Sequence, residues 1–444
     1  MAGQPAFFIS MLKIYSNKTT ARLEYVCQFI LKEQLGLDYL IINNSSELNF
    51  NEDVIINYSE NKIESSVFTI FPNSLLFENA INEQQIKCVE FLSFESGEKQ
   101  VTAFFDCENS DFPFDIFAAS FYLLSRYEEY LPFVKDSYGR FHHENALAFK
   151  NGFLQKPLIN IWIEEFKMAL KSKFPQLIFN TPQFKTILSY DIDIAWSYKN
   201  KGLIRNIGGF LKNTDWERFK VMLGFKKDPF DAYEFMDSIH QHIKSEIIYF
   251  FLVAKSVSRY DKNVSPRNHS MRNLIKAHSE KYNIGLHPSW KSSNYLNILN
   301  YEKNRLEKIA HKSISISRQH YIQFSLPATF ENLIKAGINK DFSMGYGSIN
   351  GFRASFAGSF FWYNLKEEKT TSLRLYPFCF MDANSYYEQK QHAAESLSEI
   401  NHYKNECEKV NGLFISIFHN NFLGTDPQFK GWREMYVNFI SQLL

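Results

Sequence analysis

The chain is short of cysteine, with five in 444 residues: Cys27, Cys88, Cys107, Cys379 and Cys407. Their number is odd, their spacing is wide and no CxxC pair occurs, which excludes a disulfide framework and a thiolate zinc knuckle. Excess charge of either sign is also missing. Lys and Arg number 49 against 48 Asp and Glu, a net +1, so no basic field exists to gather nucleic acid or anionic lipid. No run approaches the roughly 18 uninterrupted apolar residues of a membrane span, and the richest, Ile247 to Ala254, is strand-sized. Glycine and proline, at 18 and 13, are too few for a low-complexity polymer. The stretch Met1 to Met11 has no basic n-region, and its apolar patch, Ala6 to Ile9, is too short for a signal-peptide core. These absences predict a soluble, cytoplasmic protein with no nucleic-acid partner and no membrane span. They leave the oligomeric state open.

Aromatic residues are plentiful at 17%, including 44 Phe and 24 Tyr. Large side chains filling cores explain them more simply than sugar-stacking surfaces do. At about 150 residues per domain the length predicts two or three domains. Residues 1–10 show no periodicity and are set aside as a non-structural start. Leu12 to Tyr15 reads as a strand, and Thr19-Thr20 can cap a helix whose Leu23, Val26, Cys27 and Ile30 share one face. A strand at Tyr39 to Ile42 follows, then helices at Phe114 to Leu131 and Ile159 to Lys173. The proline break at Phe179 to Phe184 marks a boundary. The expectation is an N-terminal α/β or α+β accessory domain over 11–182 and a second domain over 183–444.

In the second domain apolar runs alternate with helical stretches. The runs are Thr186–Tyr190, Ile247–Val253, Asn283–Leu286, Ser313–Ser317, Gly351–Ala354, Leu373–Cys379 and Phe414–Phe418. Such alternation predicts an α/β fold with a distorted barrel of about seven βα strands. Tyr198 to Asp231, partly basic and poor in strand signal, reads as an insertion over one barrel face.

The chemistry gathers at the ends of these runs, where barrels of βα units place their sites. Ile187 to Tyr190 runs straight into Asp191 and Asp193. Two close carboxylates separate their pKa values, leaving one as metal ligand and the other as general base, although a surface turn explains a lone DxD as readily. His287, His320 and His419 each stand at or just beyond such an end, and the coincidence of three with the DxD favours a site. Arg353 in Gly351-Phe-Arg-Ala-Ser-Phe356 could hold a carboxylate bidentately, with Asp191 or Asp382 as candidates, although an ordinary ion pair explains it equally well. No GxSxG elbow and no GK[ST] phosphate loop occurs.

These motifs resemble the polysaccharide deacetylases of carbohydrate esterase family 4, the NodB-homology fold, in a divergent branch with an extra N-terminal domain. Ser189-Tyr-Asp-Ile-Asp193 is similar to the family's acidic motif, which implies Asp191 as general base and Asp193 as metal ligand. Gly285-Leu-His287-Pro-Ser289 resembles its histidine motif, implying His287 as a ligand. Arg353-Ala-Ser-Phe356 resembles its RxxF/Y motif, implying an arginine that positions the base. Ile417-Phe-His419 resembles its last motif, implying His419 as general acid. The family's second metal histidine falls where this chain has Lys291, so His320 would complete the site or the site would be defective. The resemblance implies a metal-dependent carbohydrate N-deacetylase with one divalent ion, Zn²⁺ first among candidates. Its substrate would be an N-acetylated aminosugar or glycan, with Trp196, Trp290 and Phe356 as stacking residues and Asp382 in support. The competing expectations are a catalytically impaired carbohydrate-binding barrel, and an amidohydrolase acting on a small cytosolic amide.

Overall fold

The computed structural model describes residues 11–61, 63–94, 97, 99–201 and 216–443. The start over 1–10 and the centre of the insertion, 202–215 with Arg205 and Lys212, lie outside them. The N-terminal segment opens with a parallel four-stranded sheet in the order β2-β1-β3-β4, from β1 (Leu12–Tyr15), β2 (Tyr39–Ile42), β3 (Val54–Asn57) and β4 (Phe68–Thr69). Thr20 caps the first helix, Ala21–Cys27, by accepting the Leu23 N–H. An antiparallel pair follows, β5 (Cys88–Leu92) and β6 (Gln100–Phe104). The helix expected over 114–131 is shorter. It spans Ile116–Leu124 behind an Asp115 cap, because Arg126 turns left-handed at φ 55°. That turn lets its guanidinium reach Glu128 at 2.7 Å and Glu129 at 2.8 Å.

The second sheet has nine strands: β7 (Lys185–Ile192), β8 (Glu246–Leu252), β9 (Asn283–His287), β10 (Ile316–Ser317), β11 (Lys340–Asp341), β12 (Phe360–Asn364), β13 (Lys369–Leu375), β14 (Phe380–Met381) and β15 (Leu413–His419). Their order is β12-β13-β11-β10-β9-β8-β7-β15-β14. Every pairing is parallel except the β12–β13 hairpin. β7 is buried from Ile187 to Ile192, as a strand covered on both faces must be.

Among the described residues the ladder ends at β12 and β14, so the expected barrel is observed as an open sheet. It is strongly curled nonetheless. β7 and β10 are three strands apart, about 14 Å in a flat sheet, yet Arg318 after β10 bonds Asp191 on β7 at 2.7 Å. Gly351–Ala354 is not a strand. Phe352 donates to Leu154 O, which ties the segment to the N-terminal half, while Gly351 donates to Cys379 O just before β14 without forming a ladder. The short strands β11 and β14 and the hairpin partner β12 were not foreseen.

One hydrophobic core runs through both halves, from Leu12 to Ile440. Ion pairs cross it, with the buried Arg353 on the buried Glu129 and the buried Arg22 on the partly exposed Glu368. All five cysteines are free. No helix among the described residues is long and apolar enough to cross a membrane.

Candidate metal centre

The parallel strands finish on one side of the sheet, and their last residues or the turns just beyond carry the polar groups. Asp193 Oδ1 lies 3.0 Å from His287 Nε2, and its Oδ2 lies 3.3 Å from His320 Nε2. The donor atoms of these three residues all fall within 4.8 Å of one another. Tetrahedral zinc holds its ligand atoms roughly 3.3 Å apart, so the set needs little adjustment to grip one ion. Asp193 Oδ1 is buried without a hydrogen bond of acceptable geometry, a position that costs free energy unless a cation meets it. Two imidazoles and one carboxylate suit a borderline divalent ion with a position left open.

Both histidines are fixed from behind. His287 Nδ1 meets Arg318 O at 2.6 Å, and His320 Nδ1 meets Asp261 Oδ1 at 3.0 Å. These contacts hold the rings so that each turns Nε2 toward Asp193. Asp261 is itself held by the Trp290 N–H and Ser258 Oγ. Burial disfavours charge on His320, but Asp193 and Asp261 outweigh it and push its pKa up to about 9. Burial likewise opposes the Asp193 anion, which His320 and His287 hold well below the usual carboxylate range. The pocket is therefore built to hold positive charge. A metal ion at Nε2 of His320 would displace the proton that this ring otherwise holds.

Asp191 sits beside this set, its Oδ2 3.8 Å from His287 Nε2 and its Oδ1 bonded to Arg318. Arg318 is fully buried over the Phe250 ring, 4.2 Å from its centroid, and also bonds Ser189 Oγ and Phe342 O. Across the site His419 Nε2 is 3.5 Å from Asp193 Oδ2. Asp382 grips its other face, at 2.6 Å from Nδ1 and 2.7 Å from the backbone N–H. Burial works against a charged His419, yet Asp382, Asp193 and Asp191 raise its pKa to about 10. These residues open onto a cavity of about 620 Å³.

The structure thus gathers Asp191, Asp193, His287, His320, His419 and Asp382. It does not bring Arg353 to them. Arg353 forks onto Glu129 at 2.8 and 2.6 Å and onto Gly345 O, so Arg318 holds Asp191 in its place. Phe356 is buried in the core, 5.0 Å from the Phe29 ring, and Trp196 is buried beside Tyr233. Neither ring is open to a sugar. Trp290 stacks on Tyr260 at 4.0 Å, and Tyr321, 5.6 Å from Trp290, lines the cavity. Lys291, which the sequence resemblance sets at the position of a second metal histidine, is exposed to solvent and leaves the site to His320.

Asp261 and Arg318 are the residues that sequence reasoning missed. Arg318 stands in the same strand-end segment as His320 and was legible there as a cation beyond β10. Asp261 lies in an aperiodic loop past β8 and gave no signal beyond that position. A second donor set, His142, His143 and Glu144, is contiguous in sequence, and His143 already bonds Ser348.

Residues 12–175 match a family of unknown function, DUF7033. No curated protein matches the chain. Among solved structures, a chain assigned as a polysaccharide deacetylase from Mycobacterium smegmatis aligns with 60% of this chain and 86% of its own, at 12% identity and a TM-score of 0.39. A polysaccharide deacetylase from Bacillus cereus aligns over 59% and 88%, at 11% identity and a TM-score of 0.31. An allantoinase aligns over the same shares, at 11% identity and a TM-score of 0.38.

Proposed function

We propose that the protein is a metal-dependent hydrolase that removes the N-acetyl group of an aminosugar or glycan. The observation that carries the reading is the trio Asp193, His287 and His320 at the strand ends, set between a carboxylate held by Arg318 and a histidine held by Asp382. A divalent ion bound by the trio would supply a Lewis acid that polarises the acetyl carbonyl and lowers the pKa of water toward about 7.

The remaining work belongs to the chain. Asp191 takes the proton of the attacking water, and Arg318 fixes its second oxygen so that the free one faces the reaction. His419, kept protonated by Asp382, delivers a proton to the departing amine. Arg318 O and Asp261 keep the ligand rings turned to the ion. A pocket that only bound sugar would need no proton acceptor and donor on opposite sides of a cation site. His320, whose entry into the pocket separates a working site from a defective one, lines the cavity.

The test is acetate release from a panel of N-acetylated glycans, nucleotide sugars and lipid-linked sugars, before and after chelation. Release that stops with chelator and returns with zinc supports the reading. Silence across the panel, with zinc present, sinks it.

A further inference from the structure

The N-terminal half reaches into the same cavity. Asp136 to Arg140 forms a tight turn between Lys135 and Phe141, which bridge. Asp136 Oδ1 accepts the N–H groups of Tyr138 and Arg140, and its Oδ2 accepts Arg140 Nε at 2.7 Å. Gly139 supplies the left-handed residue that the turn requires, at φ 79°. The turn carries Tyr138 at its tip. Arg140 lies over that ring, 4.8 Å from its centroid, and donates to Tyr321 O and Gly347 O of the C-terminal half. A Cβ on residue 347 would stand 1.9 Å from Arg140 Nη1, so Gly347 is the gap into which the guanidinium fits. Directly after His320, Tyr321 and Ile322 are both left-handed, at φ 58° and 55°. For a β-branched residue that is a strained conformation of the kind that collects at functional sites. The strain aims the Tyr321 carbonyl at Arg140, and the Tyr321 ring comes to 5.4 Å from Tyr138.

Two further groups point to a polar occupant. Gln319 Nε2 and Asn384 Oδ1 belong to buried residues lining the cavity, and neither has a partner among the described residues. The Asn384 amide nitrogen is already bonded to Tyr346 O and Ile349 O, so its oxygen is left as an acceptor. A donor, an acceptor and aromatic rings suit a sugar ring, which offers hydroxyls at its edge and C–H groups on its face.

We propose that the turn over 136–140 is part of the substrate site. Tyr138 stacks on the sugar ring, and Arg140 is the positioning residue that locks the turn against Tyr321 and Gly347. The N-terminal segment thereby acquires a role as one wall of the pocket. The sugar as occupant rests on the proposed deacetylase reading, so binding and turnover are measured separately.

Zinc-loaded full-length protein is titrated calorimetrically with the β-linked trisaccharide of N-acetylglucosamine, and acetate release from it is followed in parallel, for wild type, Tyr138→Ala, Tyr138→Phe and Arg140→Ala. Tyr138→Ala should weaken binding about tenfold, and Tyr138→Phe should bind like wild type, because the face of the ring does the work. Arg140→Ala should reproduce the loss at Tyr138. Where turnover occurs the loss should fall on KM, with kcat held within about twofold and zinc content unchanged. Tyr138 is half-buried at a turn tip, so its variants test the idea even if Arg140→Ala does not fold. Tyr138-dependent binding without acetate release from the trisaccharide or from the wider panel would keep this inference and overturn the deacetylase reading. An unchanged KM for acetate release in Tyr138→Ala would overturn this inference alone. A wild type that neither binds nor hydrolyses the trisaccharide overturns this inference, and silence across the wider panel as well overturns both.

Discussion

Asp191 and Asp193 differ by two positions and by everything around them. Asp193 faces two imidazoles that can hold a cation with it, whereas Asp191 has one oxygen on a buried arginine and the other 3.8 Å from His287. Asp191→Asn is therefore expected to abolish turnover with the metal still bound, since the amide keeps the shape but takes no proton from water. Activity and metal content measured on one preparation check this, and loss of the metal would make Asp191 a ligand. The carboxylates and the three histidines were legible in sequence because each ends or follows an apolar run. Arg353 misled for the same reason: its short run, Gly351 to Ala354, is buried by docking on the N-terminal half rather than by pairing in a sheet. Burial alone does not tell those two fates apart.

At the scale of elements, the long apolar strands β7, β8, β9 and β15 could be read directly, while β10, β11 and β14 are two residues each and too brief for any period to show. The helix Tyr233–His240 packs behind β7 through its last residue, with His240 Nε2 2.7 Å from the Tyr190 hydroxyl. Burial pushes His240 down to about 4. The unfolded chain takes up a proton near pH 6.5 that the folded chain refuses until about pH 4, so stability falls as pH drops through that window, by about 3 kcal/mol. Denaturant titrations from pH 7 to pH 4 should show this slope, and His240→Gln should flatten it. An equal slope in the variant would place the pH dependence elsewhere.

At the scale of the molecule, the two halves share one core and exchange buried charges. Glu129 accepts both Arg126 and Arg353, and those arginines hold its pKa below the usual carboxylate range against the effect of burial. Glu129→Ala should cost roughly 3–5 kcal/mol by leaving the buried Arg353 guanidinium without a carboxylate, while Arg126 keeps Glu128; a change under about 1 kcal/mol in equilibrium unfolding would show that the junction tolerates the Arg353 charge. The junction also sets the turn with Arg140 against Tyr321 and Gly347, the contact on which the proposed role of Tyr138 rests. The central claim remains the cation site, and metal analysis of purified protein tests it most directly. About one zinc or similar divalent ion per chain is expected in wild type, and His287→Ala and His320→Ala should each lose it. Metal content unchanged in both variants would contradict the account.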